Sequence, residues 1–156
     1  MSTRSTYRVI EKGIYEGKEW ENKICLLYIQ SDGYPEGHPS DTAIWLSSGR
    51  LVNGLSFSDE NKLVFNGASC LAAQLVAKFK DGPGGAYLHP VSQRGKCGEA
   101  YLYDIIIDSS TNEITFKAYD NETGWGPKDR LKTKLLYSGP PANYHSWVEN
   151  VYQTEE

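Results

Sequence analysis

One stretch constrains this chain more than any other. Between Asn66 and Lys80, the residues Ala68, Leu71, Ala72, Leu75, Val76 and Phe79 recur at i, i+3, i+4, i+7, i+8 and i+11. Only an α-helix gathers that spacing onto one side. Cys70, Ala73 and Ala77 add a flank of small residues, so the apolar stripe is wide and a sheet can approach closely. The sequence therefore predicts a helix that opens at Asn66 or Gly67, carries Lys78 and Lys80 in its last turn, and stops at Gly82-Pro83.

The flanking segments supply the sheet. Tyr7 to Tyr15 and Ile24 to Gln30 read as strands, and the second is apolar on both faces, which predicts a central strand. Ala86 to Pro90 is extended. Tyr101 to Asp108 and Glu113 to Tyr119 form a hairpin through Ser109-Ser110-Thr111-Asn112, with Tyr101, Tyr103, Ile105 and Ile107 sharing a face. Leu131 to Tyr137 reads as an edge strand. A short helix over Asp41 to Ser48, capped by Ser40, and another after Pro140-Pro141 complete the pattern. The sequence thus predicts an α+β fold over residues 1–156 as a single domain. Its antiparallel or mixed sheet has about five strands, packed by one main helix and two minor ones, with 1–6 and 154–156 frayed.

Composition narrows the function classes. The 156 residues carry a net charge of −4, without the basic excess of a general nucleic-acid binder. No apolar run reaches membrane-spanning length. Three cysteines, Cys25, Cys70 and Cys97, make no paired framework and point to a reducing, cytoplasmic setting. The three histidines have no metal-ligand spacing, so neither metal nor cofactor is expected. Homo-oligomerisation stays open.

Three constellations could carry function. Ser31 to Pro39 places Asp32, Tyr34, Glu36 and His38 in one constrained turn, the kind of rigid polar loop where binding residues sit. The same residues also read as a packed corner with no ligand. Two glycine loops, 82 to 85 and 93 to 98, expose backbone N–H groups beside Gln93, Arg94 and Lys96, which would suit a phosphate or carboxylate. Neither matches a nucleotide-binding fingerprint. Tyr87, Tyr101 and Tyr103, with Tyr28, Tyr34 and His89, would offer stacking faces near those loops. Cys97 sits beside Lys96, a setting that lowers a thiol pKa, but no base can be assigned to it.

The segment Tyr28-Ile29-Gln30-Ser31-Asp32-Gly33-Tyr34-Pro35-Glu36-Gly37 resembles the strand-then-DGYPEG stretch of small uncharacterised phage and prophage proteins. The likeness runs on through Asn66 to Gln74 and Tyr101 to Ile105, about half the chain. Many relatives pass from the final Gly directly into a helix, whereas here His38-Pro39 intervene. The resemblance implies a mobile-element accessory protein in a host cytoplasm, and no mechanism. By analogy with that class, the expected function is non-enzymatic binding of a small anionic or nucleotide-like ligand, sequestering a host immune signal. The alternative is an inhibitor that blocks a host defence or regulatory protein by contact. A phosphodiesterase working through His38 and His89 is the third reading, and it requires the two imidazoles to be close.

Overall fold

A computed structural model describes residues 2–55, 63–123 and 131–152. The fold is α+β: a mixed six-stranded sheet, a separate two-stranded sheet, and three helices. The long strands are β1 (Ser5–Tyr15), β2 (Lys18–Ile29), β6 (Tyr101–Asp108), β7 (Glu113–Asn121) and β8 (Thr133–Gly139), with β5 (Ala86–His89) as a four-residue edge. Their order is β5-β2-β1-β6-β7-β8. Every neighbouring pair is antiparallel except β1 and β6, which run parallel with Ser5 opposite Tyr101 and Lys12 opposite Asp108. The small sheet pairs β3 (Arg50–Val52) with β4 (Val64–Asn66) in parallel.

The helices α1 (His38–Ser48), α2 (Gly67–Phe79) and α3 (Tyr144–Trp147) pack on one face of the large sheet. That face presents Tyr7, Val9, Leu27, Ile29, Tyr103, Ile105, Ile107, Phe116 and Ala118, all buried. Helix α2 meets it with Ala68, Leu71, Ala72 and Leu75, each at most 5% exposed, while Val76 and Phe79 complete the stripe half-buried. At roughly 1.5–3 kcal/mol per fully buried leucine, this contact is a principal apolar anchor of the fold. The expected Asn66-to-Lys80 helix and the 101–119 hairpin both stand as read.

Four expectations shift. Ser5 and Thr6, placed at a frayed end, are fully buried strand residues; 154–156 lie outside the described residues. Ser40 does not cap α1: the cap position is Gly37, and His38 and Pro39 form the first turn, where proline's fixed φ and missing N–H suit a helix start. The chain therefore does pass from the DGYPEG glycine directly into a helix. Strand β2 begins at Lys18 rather than Ile24, after a two-residue turn at Glu16-Gly17 with φ of 51° and 75°. Its last stretch, Leu26 to Ile29, does lie between two strands, β5 and β1, as expected of a central strand, and β2 also contacts the Val91–Gln93 turn. Finally, the C-terminal element is a 3₁₀ turn (Pro141–Asn143), one α turn, and a π turn (Val148–Tyr152) rather than one regular helix.

Candidate functional site

Strands β1 and β6 both start at the end of the sheet where β2 finishes, and this topology gathers the candidate loops there. Gln30 N–H donates to the Gly85 carbonyl, Gly33 N–H to that of Thr3, and Ala100 N–H to that of Arg4, each at 2.9 Å. The loops at Asp32–His38 and Gly82–Gly98 therefore reach one end of the sheet. They divide between its faces. Asp32–His38 lies over the helix-bearing face, and Gln93–Glu99 over the opposite one.

The first loop is held from below by phenols. The buried Tyr103 donates its hydroxyl to the Gly33 carbonyl at 2.7 Å, and the buried Tyr144 donates to that of Pro35 at 2.8 Å. Burial pushes both phenols well above their ordinary pKa, so they remain donors. Asp32 takes φ of 60°, and Gly37 N–H donates to Tyr34 O at 2.8 Å. A Cβ at Gly37 would overlap the Asp32 carbonyl, and one at Gly33 the Ser5 hydroxyl. Both glycines of the DGYPEG string thus sit where a Cβ has no room, Gly37 against backbone and Gly33 against the Ser5 side chain. The turn at Asp32-Gly33 and the packed corner at Tyr34-Pro35 are accounted for, but Glu36 and His38, expected in that corner to be solvated, are half-buried.

His38 turns inward from that loop. Its Nδ1 lies 2.8 Å from the Tyr7 hydroxyl, which donates on to Thr42 Oγ1 at 3.1 Å. Its Nε2 lies 3.4 Å from Ser5 Oγ, and the Ser31 backbone also hydrogen-bonds the ring. The ring packs edge-on to Phe79 with centroids 5.0 Å apart. Burial, reinforced by the Lys78 ammonium, lowers its pKa to about 4. His38 is a neutral, hydrogen-bonded core histidine.

On the opposite face, the second loop is held by charge. Asp104 lies between Leu102 and Ile106 on that side of β6, and its side chain is 2% exposed. Arg8 grips it with two hydrogen bonds of 2.7 and 3.0 Å, and Arg94 with two of 3.2 Å. The Arg94 guanidinium also lies 5.1 Å from the Tyr119 ring centroid. Glu99, equally buried, accepts from Gly95 N–H, Cys97 N–H and Thr6 Oγ1 at 2.8–3.1 Å. Two of the amides read as an anion cradle, those of Gly95 and Cys97, are therefore turned onto the chain's own carboxylate. Arg94, read as an anion donor, is 9% exposed and committed to Asp104. The Cys97 thiol donates to the Gln93 carbonyl at 3.2 Å, next to the Glu99 carboxylate rather than in a purely basic setting.

The remaining residues sort by exposure. Tyr101 meets the Tyr152 hydroxyl at 3.2 Å across the sheet's end, while Gln93 and Lys96 lie at the surface. Tyr28 packs against His89 and Tyr87, with centroids 5.3 and 6.3 Å away, on the face away from the helices. His89 and His38 thus lie on opposite faces of the sheet, which removes the two-histidine phosphodiesterase. Large apolar side chains are exposed on both faces of this end: Leu88 (62%), opposite Leu27, and Tyr34 (36%) on the helix-bearing side, and Tyr87 (47%), opposite Tyr28, on the other. Glu36 is half-buried beside Tyr144. A hollow of about 230 Å³ lies at the other end of the sheet, between the β1–β2 hairpin and Asp108–Ser110.

Sequence reasoning missed two anchoring groups. Asp104 and Glu99 carry a faint signal, being acids within or beside an apolar strand. The chain from Ser40 Oγ to His145 Nδ1 (2.9 Å) and from His145 Nε2 to Glu149 (3.0 Å) ties α1 to the C-terminal helix. Ser40 and His145 are 105 residues apart, so no local pattern reveals that link, although the His145–Glu149 pair has helical i,i+4 spacing.

No protein-family model, curated protein or solved structure matches this chain. Among the described residues, no group of three or more His, Cys, Asp or Glu side chains could hold a metal, and no helix is long and apolar enough to cross a membrane.

Proposed function

We propose that this chain is a non-enzymatic phage or prophage accessory protein that works by direct contact with a host protein. The contact surface is the loop-bearing end of the sheet. One observation favours this over sequestration of an anionic ligand. The groups suited to grip an anion, Arg94 and the amides of Gly95 and Cys97, are engaged internally, whereas Tyr34, Tyr87 and Leu88 face outward. Buried charge pairs hold a surface in shape, and exposed aromatic and aliphatic side chains on a rigid support are what protein hot spots are made of. The neighbouring Asp32 and Lys96 would form a polar rim. Trp125, a further aromatic candidate, lies outside the described residues.

The test is recovery of a defined host partner, reconstituted from pure components and titrated calorimetrically. Tyr34→Ala and Tyr87→Ala should each weaken binding by about tenfold or more if they act as hot spots. Wild-type affinity in both variants would place the surface elsewhere. A nucleotide screen by thermal shift separates the two readings, since a ligand at a hundred times its Kd would add about 2.7 kcal/mol of stability. A shift of that size with any linear or cyclic nucleotide would overturn the contact reading.

A further inference from the structure

The longest uncovered edge of the large sheet lies away from the candidate loops. Strand β2 runs from Lys18 to Ile29, but β5 covers only Leu26 to Ile29. Among the described residues, the outer edge of Lys18–Cys25 has no strand beside it. An uncovered edge of that length presents a row of peptide N–H and C=O groups that invites another strand.

The order of side chains along this edge points to what covers it. Two copies of a strand related by a two-fold axis pair antiparallel, and residues that turn their peptide groups outward must face each other. Along Lys18–Lys23 outward-facing groups alternate, so the two facing residue numbers sum to an even value and the axis passes through a residue; a bulge at Ile24, where the register against Val9 and Ile10 shifts, ends that alternation. An axis at Trp20 sets Glu19 against Glu21 twice. An axis at Glu21 sets that carboxylate against itself. An axis at Asn22 sets Glu21 against Lys23 twice, Trp20 against Ile24 twice, and Asn22 against its own copy, whose amide both donates and accepts. The run Trp20-Glu21-Asn22-Lys23-Ile24 is self-complementary about its centre: apolar, acid, amide, base, apolar.

The fold supports this register. Trp20 lies opposite Gly13 and Asn22 opposite Glu11, on the helix side of the hairpin, while Glu21 opposite Lys12 and Lys23 opposite Ile10 lie on the other. The Glu21–Lys23 and Asn22–Asn22 pairs therefore each fall on a common face, and Trp20 meets Ile24 at the bulge where the regular stretch ends. Glu21, Asn22 and Lys23 are exposed, and Trp20 and Ile24 half-exposed, so the partners are accessible. With the axis at Asn22, the regular pairing is centred on Glu21 to Lys23 of each copy, is flanked by Trp20 against the bulged Ile24, and ends short of β5 at Leu26. We infer that two copies of this chain pair through the β2 edge, with Asn22 on the two-fold axis, to form one continuous twelve-stranded sheet.

Light scattering after size exclusion, over a concentration series, tests the pairing. The wild type should be dimeric. Lys23→Glu, which faces Ile10 and so breaks no cross-strand ion pair within its own hairpin, puts two like-charge pairs into the interface. It should weaken the dimer by about tenfold to a hundredfold. The doubly reversed Glu21→Lys/Lys23→Glu protein restores both opposite pairs and should regain dimerisation. Asn22→Cys should cross-link rapidly to its own copy, because facing Cα atoms at about 4.5–5.5 Å suit a disulfide. A wild type that stays monomeric at about 100 μM, or that pairs only with a different protein, overturns the inference. So does a dimer indifferent to Lys23→Glu, or an Asn22→Cys protein that links no faster than one with its new cysteine at exposed Lys18.

Discussion

Two loops sit at the same end of one sheet, and both looked like binding sites for the same reason: glycine, charge and aromatic residues close together. They are built on different physics. Asp32–His38, over the helix side, is fixed by neutral hydrogen bonds from buried phenols to its carbonyls and by two glycines with no room for a Cβ. Gln93–Glu99, over the opposite side, is fixed by ions: Arg94 and Arg8 on Asp104, and Glu99 on Thr6 and two amides. A polar loop can thus be rigid because its polarity is used internally, and then what remains outside for a partner is chiefly apolar. The contrast accounts for a contact surface of Tyr34, Tyr87 and Leu88 at a place that, by composition, promised anion binding.

The comparison breaks most sharply at Asp104. Asp104→Ala strips the acceptor from two arginines whose side chains are 18% and 9% exposed, leaving buried positive charge uncompensated. A loss of about 3–5 kcal/mol in urea unfolding is expected. No single phenol on the other side should cost as much. A loss under about 1 kcal/mol would mean that the ionic clamp is dispensable.

The next largest effect belongs to the helix side and is read by pH. His38 is held at a pKa of about 4, below the ordinary histidine value, so the unfolded chain binds this proton more readily than the folded one. Its contribution is complete above about pH 6.5 and is lost as pH falls toward 4. The loss reaches at most about 3 kcal/mol by linkage. Denaturation midpoints at pH 7, 5.5 and 4.5 should fall in the wild type. In His38→Gln, where nothing titrates at this position, the fall should be shallower, and equal slopes would remove His38 as the cause.

Gly37→Ala follows. Its Cβ meets a backbone carbonyl, which cannot swing aside as a side chain would. About 1–3 kcal/mol of destabilisation is expected, with loosened protection of the loop amides in hydrogen exchange. The smallest effect is Tyr144→Phe. It leaves the Pro35 carbonyl without its phenol donor and should cost about 1–2 kcal/mol. Comparing it with Asp104→Ala in a single denaturant series measures the two clamps side by side.

Much of the fold was legible in local pattern. Helix α2 announced itself through a 3.6-residue period, and the Tyr101–Asp108 and Glu113–Asn121 hairpin through alternation around a polar turn. The first half of β2 was not legible. Lys18 to Lys23 has no apolar alternation: the whole stretch lies beyond β5, and from Trp20 to Lys18 the hairpin also runs beyond the end of β6. Ser40 looked like a helix cap by type, but capping depends on where the backbone enters the helix. Pro39 in the first turn and the close-packed Gly37 set that point. The site was legible only as a list. That Asp32, Tyr34, Arg94 and Tyr87 belong to one end of the molecule follows from strand order, in particular from the parallel pairing of β1 with β6, which no local pattern encodes.

By itself, the sequence determined the α+β class, the core helix and the residues able to make a surface. The tertiary structure decided which of them are spent. Arginine, glutamate and histidine look alike in sequence whether they meet solvent or one another. The difference is burial: a charge removed from water must find its opposite, and Asp104 and Glu99 supply the opposite charge and acceptors at that end of the sheet before any ligand arrives.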